Sequence, residues 1–236
     1  GYSLYTNAVL PSGTNILAGT ADGIYLSSNN GASWAKKNGN FTISLTGNGT
    51  AMFAGSFGSG VVLSTNNGSS WTAVNTGLTN KIVSALTMSG NNVFAGTHDG
   101  VFYSTNNGTS WNQVGLSNTW IESLYVYNDV LFAGTTNLGI YSQPLSQFCS
   151  ITSFTPAEII DASVTINGTG FSTTASNNIV EFNGTLATVT NSTSTTLTVV
   201  VPSGATSGPI TVTANGGQTA ISATTFAVIP HVISFS

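Results

Sequence analysis

The feature that most constrains this chain is an internal repeat. Residues 18–34 read AGTADGIYLSSNNGASW, and the stretch returns as AGSFGSGVVLSTNNGSSW at 54–71 and as AGTHDGVFYSTNNGTSW at 95–111. A fourth copy opens at Ala133-Gly134-Thr135 and fades after Ile140-Tyr141-Ser142. Glycines 19, 55, 96 and 134 therefore lie 36, 41 and 38 residues apart. A fixed period of this length means stacked copies of one supersecondary unit.

Each unit reads as four short strands. In the third they are expected over 82–87, 92–97, 101–104 and 110–114, alternating in polarity and separated by Gly and Asn. About 40 residues in four strands is the length of a propeller blade. The first half, 1–148, is thus expected to be a partial or small β-propeller with four recognisable blades. Two closures fit: either four blades suffice, or further residues upstream of Gly1 complete the ring. An array left open would expose unpaired strand edges.

The turns have a mechanism. Asn30-Gly31, Asn67-Gly68 and Asn107-Gly108 supply the positive φ values a tight reversal needs, and the flanking hydroxyls can bond the turn backbone. Trp34, Trp71 and Trp111 follow at a fixed offset and are read as covers for the gap between neighbouring blades. The segments 27–34, 64–71 and 104–111 resemble the Asp-box (BNR) repeat of sialidases and related propellers, Ser-x-Asp-x-Gly-x-Thr-Trp. The Asp position is Asn in all three copies, Asn29, Asn66 and Asn106. The resemblance implies a folding hairpin remote from any active site, and closure of the ring by a strand borrowed from the other end of the chain.

From Ile151 the period stops, and Thr, Val and Ile alternate in runs at 163–166, 179–182, 196–201 and 210–214. Some 80 residues with about seven short strands suit an immunoglobulin-like β-sandwich. The segment resembles an IPT/TIG domain in its opening Ile151-Thr152-Ser153-Phe154-Thr155-Pro156 and in Val164-Thr165-Ile166-Asn167-Gly168-Thr169-Gly170-Phe171. Val180-Glu181-Phe182-Asn183-Gly184, Val201-Pro202 and Gly208-Pro209-Ile210-Thr211-Val212 match as well. One departure is the stretch Glu158 to Asp161, where these domains often carry a Gly. The sandwich is assigned to 149–230. Residues 231–236 echo its opening and are expected to start a further domain of the same kind.

Composition narrows function. Three lysines, no arginine and seven acidic side chains leave a surface of Asn, Thr, Ser and Gly, so no basic cluster exists to grip nucleic acid. The longest apolar runs are too short for a membrane span. The single Cys149 excludes an internal disulfide framework. Sialidase-type catalysis needs an arginine cluster, which is absent. Glycoside hydrolysis needs two facing carboxyl groups, and Asp22, Asp99, Asp129, Glu122, Glu158, Asp161 and Glu181 are the only candidates. Asp22-Gly23 and Asp99-Gly100 occupy equivalent repeat positions and read as turn residues. His98 and His231 lie in different domains, and no metal-ligand spacing or nucleophile elbow occurs.

No enzyme, cofactor or metal site is therefore expected. The expectation is a bacterial extracellular or cell-surface modular protein for adhesion or extracellular assembly, with the propeller as binding face and the sandwich as spacer. Its partner would be a protein or glycan at a surface, and homo-oligomers are open to it. The tandem modules resemble proteins exported by the type IX system. The alternative is an ancillary glycan-binding region of a secreted carbohydrate-active enzyme. Tyr25, Phe102, Tyr103, Tyr125 and Tyr127 either stack on sugars or are buried between sheets.

Overall fold

The computed structural model describes residues 5–49, 51–90, 92–155, 157–214 and 218–229, and the chain divides into two compact units, Gly1–Gln143 and Pro144–Ser236. The expected domain start at 231–236 lies outside the described residues. Among those residues the helical pieces are two 3-10 turns, Leu145–Gln147 and Ala175–Asn177; everything else regular is strand.

The first unit is a series of four antiparallel meanders. Sheet 1 holds β1 (Thr6–Ser12), β2 (Asn15–Thr20), β3 (Gly23–Ser27) and β4 (Ala35–Asn38). Sheet 2 holds β5 (Thr42–Gly47), β6 (Met52–Ser56), β7 (Gly60–Ser64) and β8 (Thr72–Ala73). Sheet 3 holds β9 (Val83–Ser89), β10 (Asn92–Thr97), β11 (Gly100–Ser104) and β12 (Asn112–Gly115). Sheet 4 has only three strands, β13 (Ile121–Tyr127), β14 (Val130–Thr135) and β15 (Ile140–Pro144). In the third unit the expected first strand shifts to Val83–Ser89 and the last to Asn112–Gly115, because the hairpin hydrogen bonds hold Ser110 outside the ladder.

Side chains that alternate along a strand face opposite neighbours, and both faces of sheet 2 are packed. Leu17 of β2 meets Leu45, Met52, Ala54 and Val62 of sheet 2. From the opposite face of sheet 2, Phe53 and Val61 meet Leu86, Val93, Ala95 and Phe102 of sheet 3. The repeated Gly lets the next sheet approach closely. A Cβ on Gly19 would lie 2.6 Å from Thr42 Cγ2, and one on Gly96 would lie 2.6 Å from Ile121 Cγ2. Each first strand also carries a bulge near its start against its partner, in all four sheets. Such a bulge adds local twist.

The second unit spans Pro144–Ser236. Phe148 is buried and its carbonyl accepts the Thr169 hydroxyl at 2.8 Å. The strands are β16 (Ser150–Phe154), β17 (Ala157–Glu158), β18 (Ser163–Thr169), β19 (Ile179–Phe182), β20 (Thr185–Ser192), β21 (Thr196–Val200), β22 (Ile210–Ala214), β23 (Gln218–Ile221) and β24 (Ala227–Val228). Their order is β16-β18-β21-β20-β19-β22-β23, with β17 and β24 paired in parallel beside it. Long β20 joins the two layers: its start pairs with β19 and its end with β21, across an irregularity between Val189 and Asn191.

Alternate positions Val164 and Ile166, Val180 and Phe182, Leu197 and Val199, and Ile210 and Val212 fill the sandwich core. Asn183-Gly184, with φ of 47° and 85°, makes the β19–β20 hairpin. Where a Gly was expected after Pro156, Asp161 takes the positive φ, at 68°, and its amide donates to the Val201 carbonyl at 2.9 Å.

Two outcomes follow for the second unit. Phe182 is buried and packs edge-on against Phe226 with ring centres 4.8 Å apart, so Phe182→Ala is expected to cost about 3–5 kcal/mol in denaturant unfolding. Burial pushes the Cys149 thiol up to about 12. The folded protein is therefore expected to leave a thiol reagent unconsumed at mildly alkaline pH and to react fully once denatured; rapid labelling of the native chain would contradict that burial.

Candidate binding face

In each Asn-Asn-Gly hairpin the residue at the Asp position organises the turn. Asn29 Oδ1 accepts the Ser33 amide at 2.9 Å and the Ser27 hydroxyl at 3.0 Å, while its Nδ2 donates to Ser33 Oγ at 2.8 Å. Asn66 repeats this with Ser64 and Ser70, and Asn106 with Ser104 and Ser110. Asn thus accepts the bonds an Asp would accept and finds an acceptor for its extra N–H groups. Asn30, Asn67 and Asn107 take φ of 54°, 56° and 54°, each followed by a positive-φ Gly.

The three tryptophans do not share one environment. Trp111 is buried, and its Nε1 donates to the Val74 carbonyl of the preceding sheet at 2.8 Å. Trp71 is half-buried against the Leu17 cluster, with Nε1 bonded to its own turn at Gly68. Trp34, bonded to Gly31, is exposed, so the expected cover between sheets is not what this residue provides. Gly68 rests on Leu17, and Gly108 rests on Val74 and Phe53; Gly31 has only its own Trp34 nearby.

Four of the acidic side chains accept hydrogen bonds from near neighbours. Asp22 and Asp99 each close a turn in which their amide bonds to the Thr two residues earlier, Thr20 or Thr97. Asp22 accepts the Lys36 ammonium at 2.7 Å and the Tyr25 hydroxyl at 2.6 Å; these hydrogen bonds, Lys36 foremost, hold its carboxyl below the usual range. Asp99 accepts the Asn118 amide at 2.7 Å. Asp129 and Asp161 sit in turns at positive φ. Glu122 accepts from Thr136, and Glu181 from Thr211; Glu158 lies on β17. Among the described residues no cluster of three or more His, Cys, Asp or Glu side chains forms, and no helix is long and apolar enough to cross a membrane.

Of the five aromatics singled out from the sequence, Phe102 and Tyr103 are buried between sheets, Tyr25 is half-buried, and Tyr125 and Tyr127 are exposed. A different set makes the clearest surface feature. The residue before each first strand bonds to the one just past each second strand: the Phe57 amide donates to Phe41, His98 to Ile82 and Thr136 to Trp120. This places one aromatic row across three successive sheets. Phe41 stacks on Phe57 at 5.7 Å, Phe57 meets His98 edge-on at 6.3 Å, and His98 stacks on Trp120 at 3.8 Å and 17°. Phe41, Phe57 and Trp120 are all exposed. Beside Trp120, a shallow depression is lined by Asn118, Thr119, Thr136, Asn137 and Leu138.

Sequence reasoning passed over this row because its members vary from copy to copy. A signal was present: Phe57 and His98 both stand two residues after the repeated Gly.

The hairpin geometry yields a stability contrast. Asn106→Ala removes the acceptor for Ser104 and Ser110 and is expected to cost about 1–3 kcal/mol, whereas Asn106→Asp keeps both and is expected to stay within about 0.5 kcal/mol of the parent. Urea titration of both variants checks this.

Residues 149–228 match the family model described as IPT/TIG domain. No curated protein matches the chain. Among solved structures, the computationally designed Ika4 protein aligns with a TM-score of 0.52 at 13% identity, over 61% of this chain and 93% of that one. The computationally designed Ika8 protein aligns with a TM-score of 0.50 at 14% identity, over 92% of this chain and 70% of that one. The extracellular domain of a candidate one component system from Bacteroides thetaiotaomicron aligns with a TM-score of 0.49 at 15% identity, over 76% of this chain and 27% of that one. The likeness to the two designed proteins concerns fold alone; the second unit carries an IPT/TIG domain.

Proposed function

We propose that this chain is a non-catalytic part of an exported, bacterial cell-surface or secreted modular protein that works in adhesion or extracellular assembly. The four antiparallel sheets act as Asp-box blades of a β-propeller and present a binding face; the IPT/TIG sandwich acts as a spacer. The observation that carries this reading is the row Phe41, Phe57, His98 and Trp120, three exposed rings and a half-buried imidazole carried at the strand ends of three successive sheets. Rings packed against one another on backbone fixed by hydrogen bonds are preorganised for contact and lose little freedom on binding. The acids, each engaged in its own turn or ladder, support a role without bond making.

The same row favours one second reading, an ancillary glycan-binding region of a secreted carbohydrate-active enzyme. Aromatic faces offer large apolar area with directional polar groups beside them, here Asn118, Thr136 and Asn137. Calorimetric titration with a panel of neutral polysaccharides separates the two. If glycan is the ligand, binding is expected, and Trp120→Ala weakens it about tenfold, equivalent to roughly 1.4 kcal/mol. Absence of glycan binding, together with loss of surface attachment when residues 5–143 are deleted from the native protein, supports adhesion through a protein partner. Retained attachment after that deletion would refute the adhesive reading.

A further inference from the structure

Equivalent positions of the four sheets have unequal fates. By register, Val9 opposite Ala18 corresponds to Leu45 opposite Ala54, Leu86 opposite Ala95 and Leu124 opposite Ala133. Leu86 and Leu124 are 8% and 9% exposed, and Leu45 packs beside Leu17 of sheet 1. Val9, on the leading face of sheet 1, is 61% exposed. Trp34 on the same face is 43% exposed, where its counterpart Trp111 is 3% exposed.

The trailing face shows the reverse pattern. Ile24, Val61 and Val101 each follow the Gly that opens the third strand of their sheet and are buried. Ile140, in the same place on sheet 4, is 79% exposed, and Tyr125 beside it is exposed as well. Gly134 tells the same story: a Cβ there would meet only Ser123 of its own sheet, whereas Gly19, Gly55 and Gly96 each receive the first strand of the following sheet. Among the described residues, sheet 4 thus keeps a receiving surface with nothing from a following sheet against it, and sheet 1 keeps the docking surface that fits one.

From this we infer that the leading face of sheet 1 in one copy of the chain docks on the trailing face of sheet 4 in a second copy, extending the contact that joins sheet 1 to sheet 2 and sheet 2 to sheet 3. Val9 and Trp34 take the places of Leu45 and Trp71, and Ile140 that of Ile24. The two faces differ, so the contact is head-to-tail and builds either a closed ring or an open filament. It covers two apolar patches of the kind that mark interaction surfaces. The inference concerns association without ligand, and so stands apart from the identity of whatever the aromatic row binds.

The test is sedimentation velocity on the whole chain over a concentration series, with Val9→Lys at one face and Ile140→Lys at the other. The parent is expected to associate. Each variant alone is expected to be monomeric, and an equimolar mixture of the two to form dimers and nothing larger, since one intact leading face meets one intact trailing face. Formation of that mixed dimer also shows that both variants fold. A parent that is monomeric throughout, association that survives either substitution, or a mixture that stays monomeric would each overturn the inference.

Discussion

The first unit depends on one steric allowance: a residue without a side chain in the second strand of each sheet, against which the next sheet lays its first strand. At Gly19 and Gly96 the neighbouring Thr42 and Ile121 come within 2.6 Å of where a Cβ would stand. Interiors are close-packed, so a single added carbon there would push sheets apart or force them to shift. Around this point the larger side chains interlock. Leu17 receives sheet 2, and Phe53 receives sheet 3 together with its hairpin at Gly108. The hairpins therefore serve a tertiary purpose as well as a local one, since they reach over onto the sheet before.

The second unit solves the same problem of covering apolar faces by another route. Its two layers face each other directly, and β20 passes between them by pairing first with β19 and then with β21. Strict alternation along β18, β19, β21 and β22 feeds one shared core. Polar side chains left inside are satisfied locally, as when Asn178 both accepts from and donates to the Ser172 backbone at 2.9 Å. The unit can thus be nearly uncharged and still well ordered.

The surface follows from these frames. The residues just before the first strands and just past the second strands are joined by hydrogen bonds such as Phe57 to Phe41, which fix their backbone. Aromatic rings placed there remain exposed and aligned from sheet to sheet. The four aspartates, by contrast, went into turns, where Asp129 and Asp161 adopt positive φ and Asp22 and Asp99 close the loop after a Thr.

Much of this was legible in the chain itself. The repeat spacing fixed the number of units, the Asn-Gly pairs located the reversals, and alternation placed β19 and β22 at the residues where they are found. The IPT/TIG motifs marked out the second unit, because its turns and core positions are short-range features. What the chain did not disclose depends on neighbours distant in sequence. Three tryptophans at one repeat position range from buried Trp111 through half-buried Trp71 to exposed Trp34 according to what packs against each. The row from Phe41 to Trp120 exists only once three sheets stand side by side. Local sequence determines hairpins, strands and their period because those rest on contacts a few residues apart; burial and surface continuity are decided by which sheet lies next to which.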